Sequence, residues 1–428
     1  MAGRHWSGLA TLFLLFASAA VGGAQQPSMD MPMGGEMETL PLGISATREG
    51  SGTSWVPDNT THAAAMFGHG AWSLSLHGDA ILGYNRQSGL RSTDQFSSLN
   101  WAMLTAGHPL GGGVLRLRGM FSAEPLTVPE PGYPELLQTA FAYHGETVSD
   151  RQHPEAPVME AAALYERAIG KGLAGLIYVA PVGEPALGPA SYHHRPSAEF
   201  DPIAPLGHLS QDGTHVSYGA GTIGVFTRRV KLEGSIFNSA HPDPGAGYAY
   251  HVHLNSYSGR VSWNPGAAWS LSASAGHLAP ATGAHAHDAA TRVGVSVQRT
   301  VRTRAGSWAT SFIWGADIPT STNRAVHTLL GESSLTLSRQ ALFTRVEYVQ
   351  RTSTDLALVG SVPATVSLGA VSAGYGRRLA ARGSFQAWVQ AQGTVNLLPP
   401  ELELFYGNRH PVGVFVGLSA RPGGMPER

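Results

Sequence analysis

Sixteen stretches of this chain alternate apolar and polar residues with a period of two, and the connections between them are alternately short and long. The runs fall near 70–84, 97–107, 112–122, 157–169, 172–182, 214–227, 230–238, 254–263, 268–279, 289–301, 304–316, 327–337, 341–352, 363–377, 383–395 and 410–421. Short connections sit near 108–111, 170–171, 228–229, 264–267, 302–303, 338–340 and 378–382. Long ones cover 85–96, 123–156, 183–213, 239–253, 280–288, 317–326, 353–362 and 396–409. A sandwich or propeller has no reason to segregate its loops by length. A membrane-spanning barrel does, with short periplasmic turns at one rim and long extracellular loops at the other. The pattern predicts an all-β, antiparallel transmembrane β-barrel of about 16 strands, within a range of 14–16.

The clearest unit is the hairpin over 257–275. Tyr257, Gly259, Val261 and Trp263 alternate with Ser258, Arg260, Ser262 and Asn264, and Pro265 and Gly266 make the turn. Trp269, Leu271, Ala273 and Ala275 then alternate with Ser270, Ser272 and Ser274. Aromatic residues flank the turn and one face is small and hydroxyl-rich, as a lipid-facing side and a wet lumen require. Over 384–395, Phe385, Ala387, Val389, Ala391 and Val395 oppose Ser384, Gln386, Gln390, Gln392 and Thr394, with Trp388 out of pattern. In the last run Val412, Val414, Val416 and Leu418 share a face, and Phe415 lies inside the strand rather than at its end.

Arg4 and His5 precede an apolar stretch, residues 9–21, followed by small residues up to Ala24. This pattern predicts a cleavable signal peptide over 1–24 and export. Residues 25–69 show no sustained period and read as a flexible, Met-, Gly- and Pro-rich periplasmic arm. The barrel is expected over 70–421 and a tail over 422–428. Beyond the N-terminus no apolar run is long enough for a membrane helix. A formal net charge of -1 gives no basis for nucleic-acid binding. The absence of cysteine (Cys 0) excludes thiolate metal sites and a thiol nucleophile.

Residues that could carry chemistry collect in the long loops. The 183–217 segment holds His193, His194, His208 and His215 with Glu199, Asp201 and Asp212, stiffened by prolines. Imidazole and carboxylate together suit zinc, copper or nickel, although the spacing matches no defined metal motif. The alternative is a constriction loop whose histidines bond to backbone and carboxylates. Asp150, Arg151 and His153 in the 123–156 loop read as polar plug contacts, with Arg151 able to clamp a carboxylate. Arg195 and Asp212 complete the expected set of pore-loop residues. In the N-terminal arm, Met29, Met31, Met33 and Met37 are soft thioethers that suit copper(I). No nucleophile elbow, H-E-x-x-H helix or phosphate-binding glycine loop occurs, so no enzymatic activity is expected.

Several loop segments carry a resemblance. They are Gly132-Tyr133-Pro134, the 150–154 segment Asp-Arg-Gln-His-Pro, Leu187-Gly188-Pro189, His194-Arg195-Pro196-Ser197-Ala198, and Pro205-Leu206-Gly207-His208 through Asp212, Thr214 and His215. With Lys231-Leu232-Glu233-Gly234-Ser235, Phe237 and Asn238, they resemble a poorly characterised family of bacterial outer-membrane β-barrel proteins associated with copper and heavy-metal resistance gene neighbourhoods. The resemblance covers most of the chain after about residue 40. It implies a bacterial outer-membrane location and adds weight to metal handling. A second His-Asp is expected after the 150–154 segment, where this chain has Glu155-Ala156. Three functions follow as expectations: a porin-like channel constricted by the His/Pro-rich loop, an outer-membrane metal-binding resistance component, or a structural barrel without transport. The expected partners are outer-membrane lipid, small solutes or metal ions, and further copies of the chain in a homo-oligomer.

Overall fold

A computed structural model describes residues 39–61, 63–143, 146–240, 253–280, 288–358 and 363–423. Sixteen antiparallel strands close into a barrel. They are β1 (Trp72–Gln87), β2 (Asp94–Leu110), β3 (Gly113–Phe121), β4 (Val158–Gly170), β5 (Leu173–Val182), β6 (Ala220–Phe226), β7 (Val230–Phe237), β8 (Ser256–Trp263), β9 (Trp269–Leu278), β10 (Ala290–Thr303), β11 (Gly306–Pro319), β12 (Val326–Leu337), β13 (Gln340–Thr352), β14 (Thr365–Arg382), β15 (Phe385–Leu397) and β16 (Val412–Pro422). Each pairs with its sequence neighbours, and β16 closes on β1 from Ala80↔Ala420 to Gln87↔Gly413. A short strand, Ala64–His69, covers the first part of β1, pairing His69 with Trp72 and Ala64 with His77. Closure leaves no long unpaired edge, which a chain in lipid cannot tolerate.

The pleat sorts the side chains. On β7, Val230, Leu232 and Ile236 are exposed on the outside, while Lys231, Glu233 and Ser235 are buried inside. On β16 the exposed residues are Val412, Val414, Val416 and Leu418. A one-residue register slip would turn every charge outward, so the alternation itself fixes the register. Trp263 and Trp269 remain exposed beside their turn, where an aromatic girdle belongs. Phe415 points inward with Ile81, Leu99, Val128 and Tyr133. Gly83 makes room for it, since a Cβ there would stand 2.2 Å from the Phe415 ring. Trp388 breaks the polar face of β15 for a comparable reason: it packs edge-on against Phe200 of a loop folded inward, at 4.8 Å between ring centres.

Inward-folded segments occupy much of the lumen. Its walls carry buried charges in pairs: Arg116–Glu166 at 2.9 Å, Arg118–Glu160 at 2.9 Å, Arg260–Glu233 at 3.1 Å and Arg421–Asp79 at 2.6 Å. Buried charges need such partners because their desolvation is otherwise uncompensated.

The expected flexible periplasmic arm over 25–69 is corrected by its described part. Residues 50–57 are buried within the barrel. Inward-facing wall groups take up their backbone: Ser270 donates to the Trp55 carbonyl at 3.1 Å, Asn264 to the Val56 carbonyl at 3.0 Å and Lys231 to the Thr53 carbonyl. Trp55 sits between Arg48 and Lys231, each 4.8 Å from its ring, with Phe226 edge-on at 6.0 Å. The segment therefore satisfies its backbone against the wall, which its composition does not disclose. Most boundaries shift by a few residues; the connection expected near 378–382 is strand up to Arg382. The run over 214–227 is strand only from Ala220, so His215 belongs to the preceding loop, and the last strand extends to Pro422. The proposed signal peptide and Met29, Met31, Met33 and Met37 lie outside the described residues.

The membrane face can be tested by position. Phe312, 62% exposed at the middle of β11, and Leu404, 83% exposed in the 398–411 loop, are both open to their surroundings. Phe312→Arg should cost about 2–4 kcal/mol in a lipid or detergent unfolding titration, whereas Leu404→Arg should cost about 0–1. Equal costs would mean that the exterior does not face lipid.

Candidate functional site

The 183–219 connection does not project from the rim. A bridge between Gly183 and Ser217 closes its base, with backbone bonds of 3.0 and 2.9 Å, and the rest folds into the barrel. Two short turns organise it, Tyr192–His194 and His208–Gln211. Asp212 joins them. Its Oδ2 accepts from the Tyr192 amide at 2.8 Å and from Arg195 at 2.6 Å, and its Oδ1 accepts from His208 Nδ1 at 2.6 Å.

Arg195 then fastens the loop to the wall. Its Nε lies 2.8 Å from Glu332 on β12, and neither side chain has appreciable exposure. Ser197 adds a bond to the same Glu332 oxygen at 2.8 Å. Arg345 on β13 bonds Glu332 at 3.3 Å, Asp201 at 3.2 Å and the Ile203 carbonyl at 2.7 Å. Arg195 and Asp212, expected to line a pore, are thus buried anchors.

The 122–157 connection meets this loop from the other side. It carries a single helical turn, Glu124–Thr127, and a hairpin of Tyr133–Tyr143 with Glu146–Gln152. Glu124 accepts from the Asn100 amide at 3.1 Å and from the Glu155 amide at 2.9 Å. This places the Glu155 carboxylate among the histidines. Its Oε2 is 3.2 Å from His215 Nε2, and its Oε1 is 3.6 Å from His193 Nε2 and 3.1 Å from the Tyr192 hydroxyl. One ligand atom from each of Glu155, His193 and His215 falls within 4.8 Å of the others. The His208 and His215 rings are 4.9 Å apart, and Tyr192 stacks on His193 at 3.9 Å.

Electrostatics separates these groups. Burial works against charge on Glu155, but His215 and His193 hold its carboxyl well below the usual range. Burial also opposes charge on His215, yet Glu155 outweighs it and raises the imidazole to about 9. Burial dominates at His193, lowering it to about 3, so that ring is neutral. Burial and the neighbouring Glu155 push Glu124 up to about 8, so it keeps a proton at neutral pH. Two carboxyls close together thereby adopt opposite states.

Of the four histidines singled out in the sequence, His193 and His215 converge on Glu155, and His208 flanks them. His194 turns away toward Trp101 and His77, at 5.0 and 5.5 Å between ring centres. Asp150 accepts from the Leu137 amide at 2.8 Å and pairs with Arg91 at 2.6 Å. Among the described residues, Arg151 clamps no carboxylate. It donates to the Gly132 carbonyl at 2.7 Å and to Gln95 at 3.0 Å, because Arg91 already occupies Asp150. His153 is buried and its Nδ1 donates to the Pro154 carbonyl at 2.7 Å. Glu155 was not singled out as a ligand. The only signal for it was its position, where the family resemblance leads one to expect a histidine.

At the base of the loop, Glu184 packs against the N-terminal segment. A Cβ on Gly52 would stand 2.8 Å from that of Glu184, and Gly52 adopts φ +53, so only glycine fits there comfortably.

No family model and no curated protein matches the chain. Solved structures do match its fold. OmpF of Salmonella typhi, solved with daunomycin, aligns over 83% of this chain and 100% of its own, at 10% identity and a TM-score of 0.54. An anion-selective porin from Comamonas acidovorans aligns over 82% and 99%, at 12% identity and a TM-score of 0.50. At such identities the likeness concerns the barrel alone.

Two outcomes follow. Arg195→Ala leaves Asp212 and Glu332 without their shared cation and should cost about 3–5 kcal/mol, the range for breaking a buried pair. Limited proteolysis should then cut within 183–217 while the barrel stays closed; an unchanged digest would show that the anchor is dispensable. Burial pushes Glu184 up to about 7 from 4.5, with Arg260 opposing. Because the folded value is raised, its contribution is complete below about 4.5 and is lost as pH rises through about 7. Thermal melts should show this loss, and Glu184→Gln should flatten it.

Proposed function

We propose that the chain is a bacterial outer-membrane, porin-like channel whose lumen is narrowed by the His/Pro-rich 183–217 loop. The observation that carries this reading is the placement of that loop across the barrel interior, tied to the wall through Arg195 and Glu332. The apolar exterior and the segregation of short turns from long loops support a membrane barrel. The likeness in fold to two porins is in keeping with it.

The lumen favours a restricted path over a wide one. At the long-loop end a vestibule of about 240 Å³ opens between Ser210, Thr214 and Ser217 on the loop and Asp288, Arg292, Asp317, Arg351 and Asp355 around the rim. Arg292 and Asp317 pair across two neighbouring strands at 2.7 Å. This vestibule suits small polar solutes or hydrated ions, and the 183–217 loop lines one side of it. Selectivity would arise where the loop meets the walls, since there the charges stand close and water is scarce. The N-terminal segment narrows the opposite, short-turn end in the same manner.

Planar-bilayer recordings test the reading. The purified wild type should conduct in small steps, and Arg195→Ala should conduct in larger ones because the loop loses its anchor. Silence from both proteins would favour a structural barrel and remove the channel. Equal conductance in both would remove the loop from the pathway.

A further inference from the structure

We propose that Glu155, His193 and His215 form a binding site for a divalent transition cation of the zinc class, at the junction of the two loops that fold into the barrel. This goes beyond the channel reading and does not depend on the barrel conducting.

The geometry is close to that of a ligand set. In a tetrahedral site with bonds of about 2.0–2.1 Å, neighbouring donor atoms stand roughly 3.4 Å apart. Glu155 Oε2 to His215 Nε2 is 3.2 Å, and Glu155 Oε1 to His193 Nε2 is 3.6 Å. All three ligand atoms lie within 4.8 Å of one another, so small side-chain rotations complete the set. The three side chains are each 3–5% exposed. A cation there would exchange its hydration shell for protein donors.

The surroundings orient these donors. His215 Nδ1 lies 3.2 Å from the Asp212 carbonyl, which can only accept, so that nitrogen carries the proton. A bound cation would take the place of the Nε2 proton that His215 shares with Glu155, and Nε2 would then offer its lone pair to the ion. A second-sphere bond of this kind, fixing tautomer and ring direction, accompanies most metal-bound imidazoles. Asp212 is itself held by Arg195. Two further imidazole nitrogens mark the junction as polar and incompletely satisfied. His193 Nδ1 and His208 Nε2 are both buried and have no hydrogen-bond partner. His208 donates through Nδ1 to Asp212, which holds its ring beside the cluster.

The donor types select the metal. Two imidazoles and one carboxylate suit zinc, nickel or copper(II) rather than calcium or magnesium, which take oxygen. With no cysteine in the chain, no thiolate competes. Three protein donors leave one position of a tetrahedron for solvent or for the Tyr192 hydroxyl, 3.1 Å from Glu155. His193 and His215 come from one loop and Glu155 from another, so the bound ion cross-links them.

The test is calorimetric titration of the full-length, metal-stripped protein in detergent with zinc chloride alone. The expected result is one zinc per chain, with affinity reduced at least about tenfold in His193→Ala, His215→Ala and Glu155→Gln, and unchanged in His194→Ala. Glu155→Gln keeps the shape and one of the two acceptor oxygens while removing the anionic donor. Should an alanine variant fail the heat-modifiable mobility assay for a closed barrel, Glu155→Gln still decides the question. A variant with Met29, Met31, Met33 and Met37 all changed to Ala should bind zinc as the wild type does. Loading should also protect the 183–217 loop from protease in the wild type and not in Glu155→Gln. No binding by the wild type would overturn the proposal. So would stoichiometric binding that survives the three site substitutions.

Discussion

Arg195 holds the interior together. It is a fully buried guanidinium with two carboxylates, Asp212 on its own loop and Glu332 on the wall. Each charge would be costly buried alone, and together they are mutually satisfied. Because Asp212 also receives His208 and the Tyr192 amide, the ion pair fixes both turns of the loop in one step. Glu332 shares itself with Arg345, which reaches on to Asp201 and the Ile203 carbonyl. The same buried network therefore sets the path of the loop, the position of the histidines and the shape of one side of the vestibule. A loop merely resting in the lumen would position none of these.

The barrel was legible because its physics is local. Each strand must alternate between lipid and lumen, so period two survives in every strand, and the short turns and long loops betray the two rims. All sixteen expected runs contain a strand. The one clear overextension, 214–219, occurs where alternation continues by chance into the loop that carries His215. Trp388 looked like an error in the pattern and was information: an aromatic on the lumen face signals something inside to pack against, here Phe200.

What filled the barrel was hidden for the opposite reason. The N-terminal segment has no period, and its hydrogen-bond partners are far along the chain. The histidines of the loop were visible as residue types, but which of them converge depends on Glu155, 60 residues from His215. A glutamate after His153-Pro154 carries no pattern of its own. Likewise Arg151 seemed suited to bind a carboxylate, and only the fold reveals that Arg91 reaches Asp150 first.

The N-terminal segment is a long-range element. Asn59 bonds to the Thr300 carbonyl 241 positions later, and Ser270 reaches back 215 positions to the Trp55 carbonyl. Ala64–His69 pairs with β1, the strand on which β16 closes the barrel. A barrel without this segment would leave the buried Lys231, Asn264 and Ser270 without the carbonyls they now meet. Wall and stopper therefore form one cooperative unit, each completing the other's hydrogen bonding.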